Sequence, residues 1–178
     1  MPFPATRRQA GLSLVEILIP LAVAAVLLGS ALPSLQSMLQ RRHLEGTAAQ
    51  LETDLQLARS AAVAANRTLR LELPADRPAV CYVLHDGPAG SCTCGDDGAP
   101  RCSEGVTPWR SVSHPPGHPV RLTANVRSIT FDPVKGTVTP TATLRLAAPV
   151  GQLRLVINVM GRVRHCSPDG ALPGAPAC

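Results

Sequence analysis

The chain has 178 residues and a formal net charge of +5, which leaves room for one modest domain and an appendage rather than several domains. Aromatic residues make up only 2% of the chain, so a folded core must rest on leucine, valine and alanine. Six cysteines are many for a cytoplasmic chain of this size and indicate an oxidising compartment. Together these properties favour an exported protein.

The N-terminal segment begins with Arg7 and Arg8 and continues as an apolar run from Leu12 to Leu32. As a helix, at ~1.5 Å per residue, this run is about 31 Å long and matches the hydrocarbon core of a bilayer. It is longer than the apolar region of an ordinary secretory signal. Its only charge is Glu16, and a carboxylate inside a membrane helix costs about 2.5–3.5 kcal/mol. Glu16 therefore needs a cationic partner.

The stretch GLSLVEILIPL, residues 11–21, resembles the processing signal of type IV pilins and pseudopilins, with a short basic leader, a glycine, an apolar new N-terminus and a glutamate at its fifth position. The resemblance implies that a prepilin peptidase cleaves after Gly11 and methylates the new amine of Leu12. It also implies that Glu16 of one subunit neutralises the Leu12 ammonium of its neighbour during assembly. Residues 1–11 would be the leader peptide, and residues 12–33 the hydrophobic transmembrane and filament-core helix. An uncleaved membrane anchor is the alternative.

Residues 34–66 are predicted to continue the helix in amphipathic form. Apolar residues at alternating spacings of four and three form one stripe, which consists of Leu44, Ala48, Leu51, Leu55, Ala58, Ala62 and Ala65. The charged residues mostly off the stripe are predicted to be solvated; they are Arg41, Arg42, Glu45, Glu52, Asp54 and Arg59. Four of the seven stripe residues are alanine, a thin seam for a coiled coil, so the stripe favours packing against a sheet.

From residue 67 the hydrophobic period changes to two, as in half-buried strands. TLRLEL places Leu69, Leu71 and Leu73 on one face, with Arg70 and Glu72 opposite. Further strands are predicted in AVCYVLH, VRLTA, RSITF, ATLRL and QLRLVINV. The predicted fold class is α+β: the type IV pilin fold, a long N-terminal α-helix packed on a C-terminal antiparallel β head, here residues 67–178. SITFDPVKG and LRLVINVMGRVRHC resemble the head of GspH/FimT-type minor pilins, whereas residues 74–118 are too irregular to be matched to that head.

The distal half of the chain is its basic half. Residues 106–178 contain eight basic and two acidic residues, whereas residues 12–105 contain seven basic and ten acidic ones. An arginine-rich surface on an exported protein indicates a polyanionic partner, because phosphate contacts supply most sequence-independent affinity for nucleic acids.

Within the basic half, GRVR spans residues 161–164. If it is extended, Arg162 and Arg164 project from one side about 6.6 Å apart, which suits neighbouring phosphates, and Gly161 leaves room for close approach. Surface arginines are also often merely solvated. The resemblance to FimT-like minor pilins of transformable bacteria, which bind DNA through a GRxR motif, favours binding of double-stranded DNA. Lys135, Arg127 and His165 are candidates to extend the patch.

The cysteines allow a second interpretation. Cys81, Cys92, Cys94 and Cys102 could in principle form a zinc site, but their spacing lacks paired C-x₂-C knuckles. Disulfides in the periplasm are therefore favoured, and six cysteines allow 15 connectivities. Pairing of Cys166 with Cys178 is one expectation, and it would pin the tail beside GRVR. No metal site and no cofactor are predicted.

Enzymatic activity is not predicted, because the chain contains no HExxH, G-x-S-x-G or phosphate-loop motif. Three functions remain: a minor type IV pilin that binds extracellular DNA for natural transformation, a structural pseudopilin of a pilus tip or a type II secretion system, and a metal-binding head. The pilin resemblance implies other major and minor pilins, the prepilin peptidase and the inner membrane as partners. It also implies a single-pass location in the bacterial inner membrane before assembly, then in the periplasm or in a cell-surface pilus.

Overall fold

The computed structural model describes residues 13–73, 80–95, 97–115, 117–168, 170 and 172–178. Helix α1 (Leu14–Ala65) is 52 residues long and contains both Pro20 and Pro33. The chain divides into two compact units, Met1–Met38 and Leu39–Cys178. The leader and the expected methylation site at Leu12 lie outside the described residues.

The first unit supplies a helix that is long and apolar enough to cross a membrane. Its large apolar side chains are exposed, from Leu14 at 75% to Met38 at 54%. An apolar surface of this kind is stable only in lipid or against other apolar helices. The predicted transmembrane and filament-core segment thus has the required length and surface, while its location in a membrane stays a prediction.

The second unit contains eleven strands among the described residues. They are β1 (Leu69–Glu72), β2 (Cys81–His85), β3 (Cys92–Cys94), β4 (Pro100–Cys102), β5 (Pro108–Ser113), β6 (Arg121–Ala124), β7 (Ser128–Phe131), β8 (Val138–Thr139), β9 (Ala142–Ala148), β10 (Gly151–Ile157) and β11 (Val163–Cys166). The first sheet has the order β5-β2-β1-β7-β8, the second β11-β10-β9-β6, and β3 pairs with β4 alone. All of these pairings are antiparallel, so the predicted α+β class is confirmed.

The apolar stripe of α1 is the helical side of the core. Leu44, Leu51, Ala58 and Ala62 are fully buried, and they share one cluster with the inward leucines of both larger sheets. Ala65 is exposed, because the helix ends there. Its end has a Schellman geometry, in which Asn66 adopts φ 48° and the Arg67 N–H donates to the carbonyl of Ala62 at 3.1 Å.

Asp54 corrects the expectation that the charged residues of α1 are solvated, because its side chain is only 3% exposed. The Tyr82 hydroxyl donates to Oδ2 of Asp54 at 2.7 Å, and Nε of Arg110 lies 2.6 Å from Oδ1. Burial and the Asp54 carboxylate raise the pKa of Tyr82 above its usual value. This buried polar cluster ties α1 to β2 and β5.

Glu72 is also buried, although the alternation in β1 placed it on the face opposite the leucines. The Gly90 N–H donates to its Oε1 at 2.6 Å, and Nε2 of His85 lies 3.6 Å from the same oxygen. Burial lowers the pKa of His85, and the nearby Glu72 carboxylate partly offsets that effect. The segment that follows β2, which contains Gly90, therefore covers Glu72 on the face of β1 opposite the leucines.

The cysteines form three disulfide bonds: Cys81–Cys94, Cys92–Cys102 and Cys166–Cys178. Cys81–Cys94 links β2 to β3, and Cys92–Cys102 joins β3 to β4 within their hairpin. With Val83, these four cysteines make a small apolar cluster of their own. The third holds the tail at the end of β11, where Ser167 bridges Ala177. The four sulfurs that a zinc site in the 81–102 region would need are therefore engaged with one another.

Candidate polyanion-binding surface

The β7–β8 turn, within SITFDPVKG, orders one edge of the candidate site. Oδ1 of Asp132 accepts hydrogen bonds from the N–H groups of Lys135 at 2.7 Å and Val134 at 2.9 Å. The bond from Lys135, with that from Val134, holds the pKa of Asp132 below its usual value. Gly136 closes the turn at φ 61°, a left-handed conformation that glycine adopts without steric cost. The exposed Lys135 side chain is thereby held on a fixed turn.

The β10–β11 turn contains the first half of GRVR. The Gly161 N–H donates to the carbonyl of Asn158 at 2.9 Å, and the Arg162 N–H donates to Oδ1 of Asn158 at 2.9 Å. Gly161 has φ 72°, and a Cβ there would lie 2.8 Å from Cδ of Arg59. The positive φ of the turn and the close contact with the Arg59 side chain therefore both require glycine at this position.

Arg59 of α1 joins the two turns. Its Nε donates to the carbonyl of Gly136 at 2.8 Å, while its aliphatic stem passes Gly161. No local pattern in the sequence indicates this role, since Gly136 lies 77 positions further along the chain. Only the helical phase of Arg59, four positions after the buried Leu55, places it next to the packed face.

Between α1 and the two turns lies a groove with a volume of about 1000 Å³. Three cationic side chains line it, those of Arg59, Lys135 and Arg162, and none of its described lining residues carries a carboxylate. Three cations on one groove create a local positive potential that attracts anions, and the Asp132 carboxylate beside Lys135 offsets that potential only in part. The structure thus brings together two of the predicted residues, Lys135 and Arg162, and adds Arg59.

The second half of GRVR is strand rather than turn. Arg164 lies on β11 opposite Val156 and is exposed. Its neighbour His165 pairs with Leu155, and its Nδ1 lies 3.8 Å from Oε2 of Glu52 on α1. Because successive side chains of a strand point to opposite faces, Arg164 and His165 do not form one surface.

Arg127 lies apart from this groove. It is exposed in the β6–β7 turn, and its carbonyl accepts the N–H of Leu73 at 2.7 Å. The three candidates for extending the patch thus have three different places: Lys135 lines the groove, His165 faces α1, and Arg127 stands in another turn.

The expected assembly residue Glu16 has a local role within its own helix. The Glu16 N–H donates to Oγ of Ser13 at 3.3 Å, and the Ser13 N–H donates to Oε2 of Glu16 at 3.4 Å. This reciprocal pair is a capping box, which satisfies two of the free N–H groups at a helix start. Glu16 therefore caps α1 in the isolated chain while its side chain stays exposed.

One long N-terminal helix followed by antiparallel sheets, with an apolar exposed stem, defines the class of type IV pilin-fold proteins. The sequence model of the family described as type II transport protein GspH matches residues 47–161. The chain belongs to this family, and so to the minor pilins and pseudopilins, which assemble with other pilins in filaments. No curated protein sequence matched the chain.

Solved structures share the fold. The type IV minor pilin FimU of Pseudomonas aeruginosa is 22% identical, with a TM-score of 0.52, over 70% of this chain and 89% of that one. The minor pseudopilin EpsH from the type 2 secretion system of Vibrio cholerae is 14% identical, with a TM-score of 0.51, over 71% of this chain and 98% of that one. At these identities the likeness shows the fold alone.

Proposed function

We propose that this chain is a minor type IV pilin whose head binds extracellular double-stranded DNA for uptake in natural transformation. The observation that carries the proposal is the convergence of Arg59, Lys135 and Arg162 on one groove, whose described lining residues include no carboxylate. Guanidinium and ammonium groups bind phosphate oxygens through charge-assisted hydrogen bonds. The surface needs no particular base sequence for this kind of contact.

The proposal includes processing and assembly. The prepilin peptidase cleaves after Gly11 and methylates Leu12, so that the mature chain begins with the apolar helix. The chain then passes from the inner membrane into a filament with other major and minor pilins. The resemblance of GLSLVEILIPL to the pilin processing signal supports this order of events.

The test is a salt titration of DNA binding by the full chain in a nonionic detergent. Replacing both Arg162 and Arg164 by glutamine should weaken binding to all duplex sequences alike. It should also lower the slope of log K against log salt by about 1.8, which is roughly 0.9 for each lost phosphate contact.

A matched control replaces Arg42 and Arg67, which are exposed and lie outside the groove. This variant loses the same charge and should keep the wild-type slope. A melting temperature equal to that of the wild type separates loss of binding from loss of folding. Wild-type affinity in a folded R162Q/R164Q variant would contradict the proposed site.

The alternative function is a structural pseudopilin or pilus-tip subunit without DNA binding. The family description as a type II transport protein favours it. In that case the arginines meet acidic surfaces of other subunits. The same R162Q/R164Q variant would then lose incorporation into filaments, and the wild-type chain would show no affinity for DNA at moderate salt.

A further inference from the structure

The outer face of the second sheet carries an arginine on each of its four strands. The inward residues of its central strands are buried leucines, among them Leu144, Leu146, Leu153 and Leu155. The alternate positions point outward and include Arg121 on β6, Arg145 on β9, Arg154 on β10 and Arg164 on β11. We call these four residues the arginine diagonal.

The strand register gives the diagonal its geometry. Arg145 and Arg154 lie directly opposite each other. Arg121 pairs with Ala147, two residues from Arg145 along β9, and Arg164 pairs with Val156, two residues from Arg154 along β10. The two displacements run in opposite directions along the strands. With ~4.8 Å between strands and ~3.4 Å per residue, the four residues form a line about 20 Å long.

The diagonal has an electrostatic cost that folding does not offset. Like charges placed directly opposite across a sheet are destabilising, and Arg145 and Arg154 are such a pair. Among the described residues, no carboxylate forms an ion pair with any of the four arginines, and Nε of Arg154 is buried without a hydrogen-bond partner. Elsewhere on the head arginines do have carboxylate partners, as in Arg67–Asp86 and Arg110–Asp54. A bound polyanion would supply the missing counter-charge.

The diagonal begins next to the groove. Arg164 is two positions from Arg162, at the end of the hairpin where the β10–β11 turn lies. The remaining outward side chains on the sheet are small, polar or aliphatic, such as Thr123, Thr143, Gln152 and Val156. None of the outward positions on these strands is aromatic, so the face offers no platform on which unpaired bases can stack. Its chemistry suits the backbone of a duplex.

We propose that the arginine diagonal is the main DNA-binding face of the head, with a phosphate backbone of the duplex lying along it from Arg164 to Arg121. This inference rests on the proposed function and extends it from GRVR to the whole outer face of the second sheet. A segment of about 20 Å of duplex carries roughly twelve phosphate charges, at one charge per ~1.7 Å. Four phosphate contacts in that length are sterically available.

The test changes the far end of the diagonal and leaves GRVR intact. Arg121 and Arg145 are both exposed and are replaced together by glutamine in the full chain in a nonionic detergent. The slope of log K against log salt should fall by about 1.8 relative to wild type. Between 50 and 200 mM salt, the wild type should therefore lose about tenfold more affinity than R121Q/R145Q. R42Q/R67Q is again the charge-matched control, and duplex should bind more tightly than a single strand of equal length.

The outcomes separate this inference from the proposed function. If R121Q/R145Q keeps the wild-type slope and affinity while R162Q/R164Q loses them, DNA binding stands and the diagonal is overturned as its main face. If the wild-type chain binds no DNA, both proposals fail. If R121Q/R145Q binds DNA normally but no longer enters filaments, the diagonal is an interface between subunits. An unchanged melting temperature is required for each variant.

Discussion

We propose that Glu16 has two roles, one in the isolated chain and one during assembly. In the isolated chain its carboxylate caps α1 through the Ser13 N–H. In a filament, as the pilin resemblance implies, the same carboxylate would neutralise the Leu12 ammonium of a neighbouring subunit. The two roles differ in what they require, because capping needs an acceptor oxygen, whereas neutralisation needs a negative charge.

Two substitutions at Glu16 distinguish these roles. Glutamine retains the capping box but is neutral, whereas alanine loses both functions. We expect Glu16→Gln and Glu16→Ala to be cleaved normally and to enter filaments equally poorly, because the apolar core leaves the ammonium unpaired in each. The measurement is the amount of each variant in sheared filaments. Normal incorporation of Glu16→Gln would show that capping is the role that matters.

Asp54 is a residue whose buried surroundings determine how much its substitution destabilises the head. Its carboxylate is held between the Tyr82 hydroxyl and the Arg110 guanidinium. Hydrogen bonds to charged groups contribute about 1.5–3 kcal/mol each, so Asp54→Asn should lower the free energy of unfolding by roughly that amount. Glu52→Gln, the same chemical change two positions earlier, should cost less than about 0.5 kcal/mol. Equal losses in urea unfolding of the two variants would contradict the structural role.

At the scale of elements, three histidines connect α1 to the segment between β5 and β6. The rings of His114 and His118 stack at 4.1 Å, and His43 of α1 meets His118 edge-on at 5.4 Å. Burial, followed by repulsion from His118 and His43, lowers the pKa of His114. The folded head therefore resists the protonation of His114 that the unfolded chain accepts readily.

The lowered pKa of His114 predicts that the head becomes less stable in acid. Below the unfolded pKa of about 6.5, the unfolded chain binds more protons, so the free energy of unfolding falls as the pH drops from 7 toward the lower folded pKa of His114. The buried His85 acts in the same direction. We expect His114→Gln to reduce the loss of stability between pH 7 and pH 5, as measured by urea midpoints. A pH dependence identical to that of wild type would exclude His114 as a source.

The same scale shows which elements the sequence could predict. The helix and six strands can be predicted from apolar periodicity. Residues such as Leu51, Leu144 and Leu155 are buried in the core, so they recur in the sequence with the period of their helix or strand. Apolar periodicity does not indicate β3 and β4, because disulfides, not alternating leucines, hold these strands in place. In β5 only Val112 is buried, so no alternation was visible. The sequence around Asp54 does not indicate that Tyr82, 28 positions later, is its hydrogen-bond partner.

For the whole molecule, the excess of basic residues in the distal half of the sequence does not predict how those residues are arranged in the fold. GRVR is divided between a turn and a strand, so Arg162 faces the groove and Arg164 lies on the sheet. Arg59 joins the groove from the acidic half of the chain. Charge counts along the sequence could not predict this geometry, because strand register decides which arginines become neighbours.

In the part of the chain that the structure describes, no carboxylate pairs with the arginine diagonal, and proposed DNA binding by this face would therefore depend on the salinity around the cell. If all four guanidinium groups contact phosphates, affinity changes with salt to a power of about 3.6. Between fresh water at about 10 mM salt and tissue fluid at about 150 mM, the affinity would then fall by about four orders of magnitude. Rainfall, drying or entry into a host would thus set how much environmental DNA the filament retains.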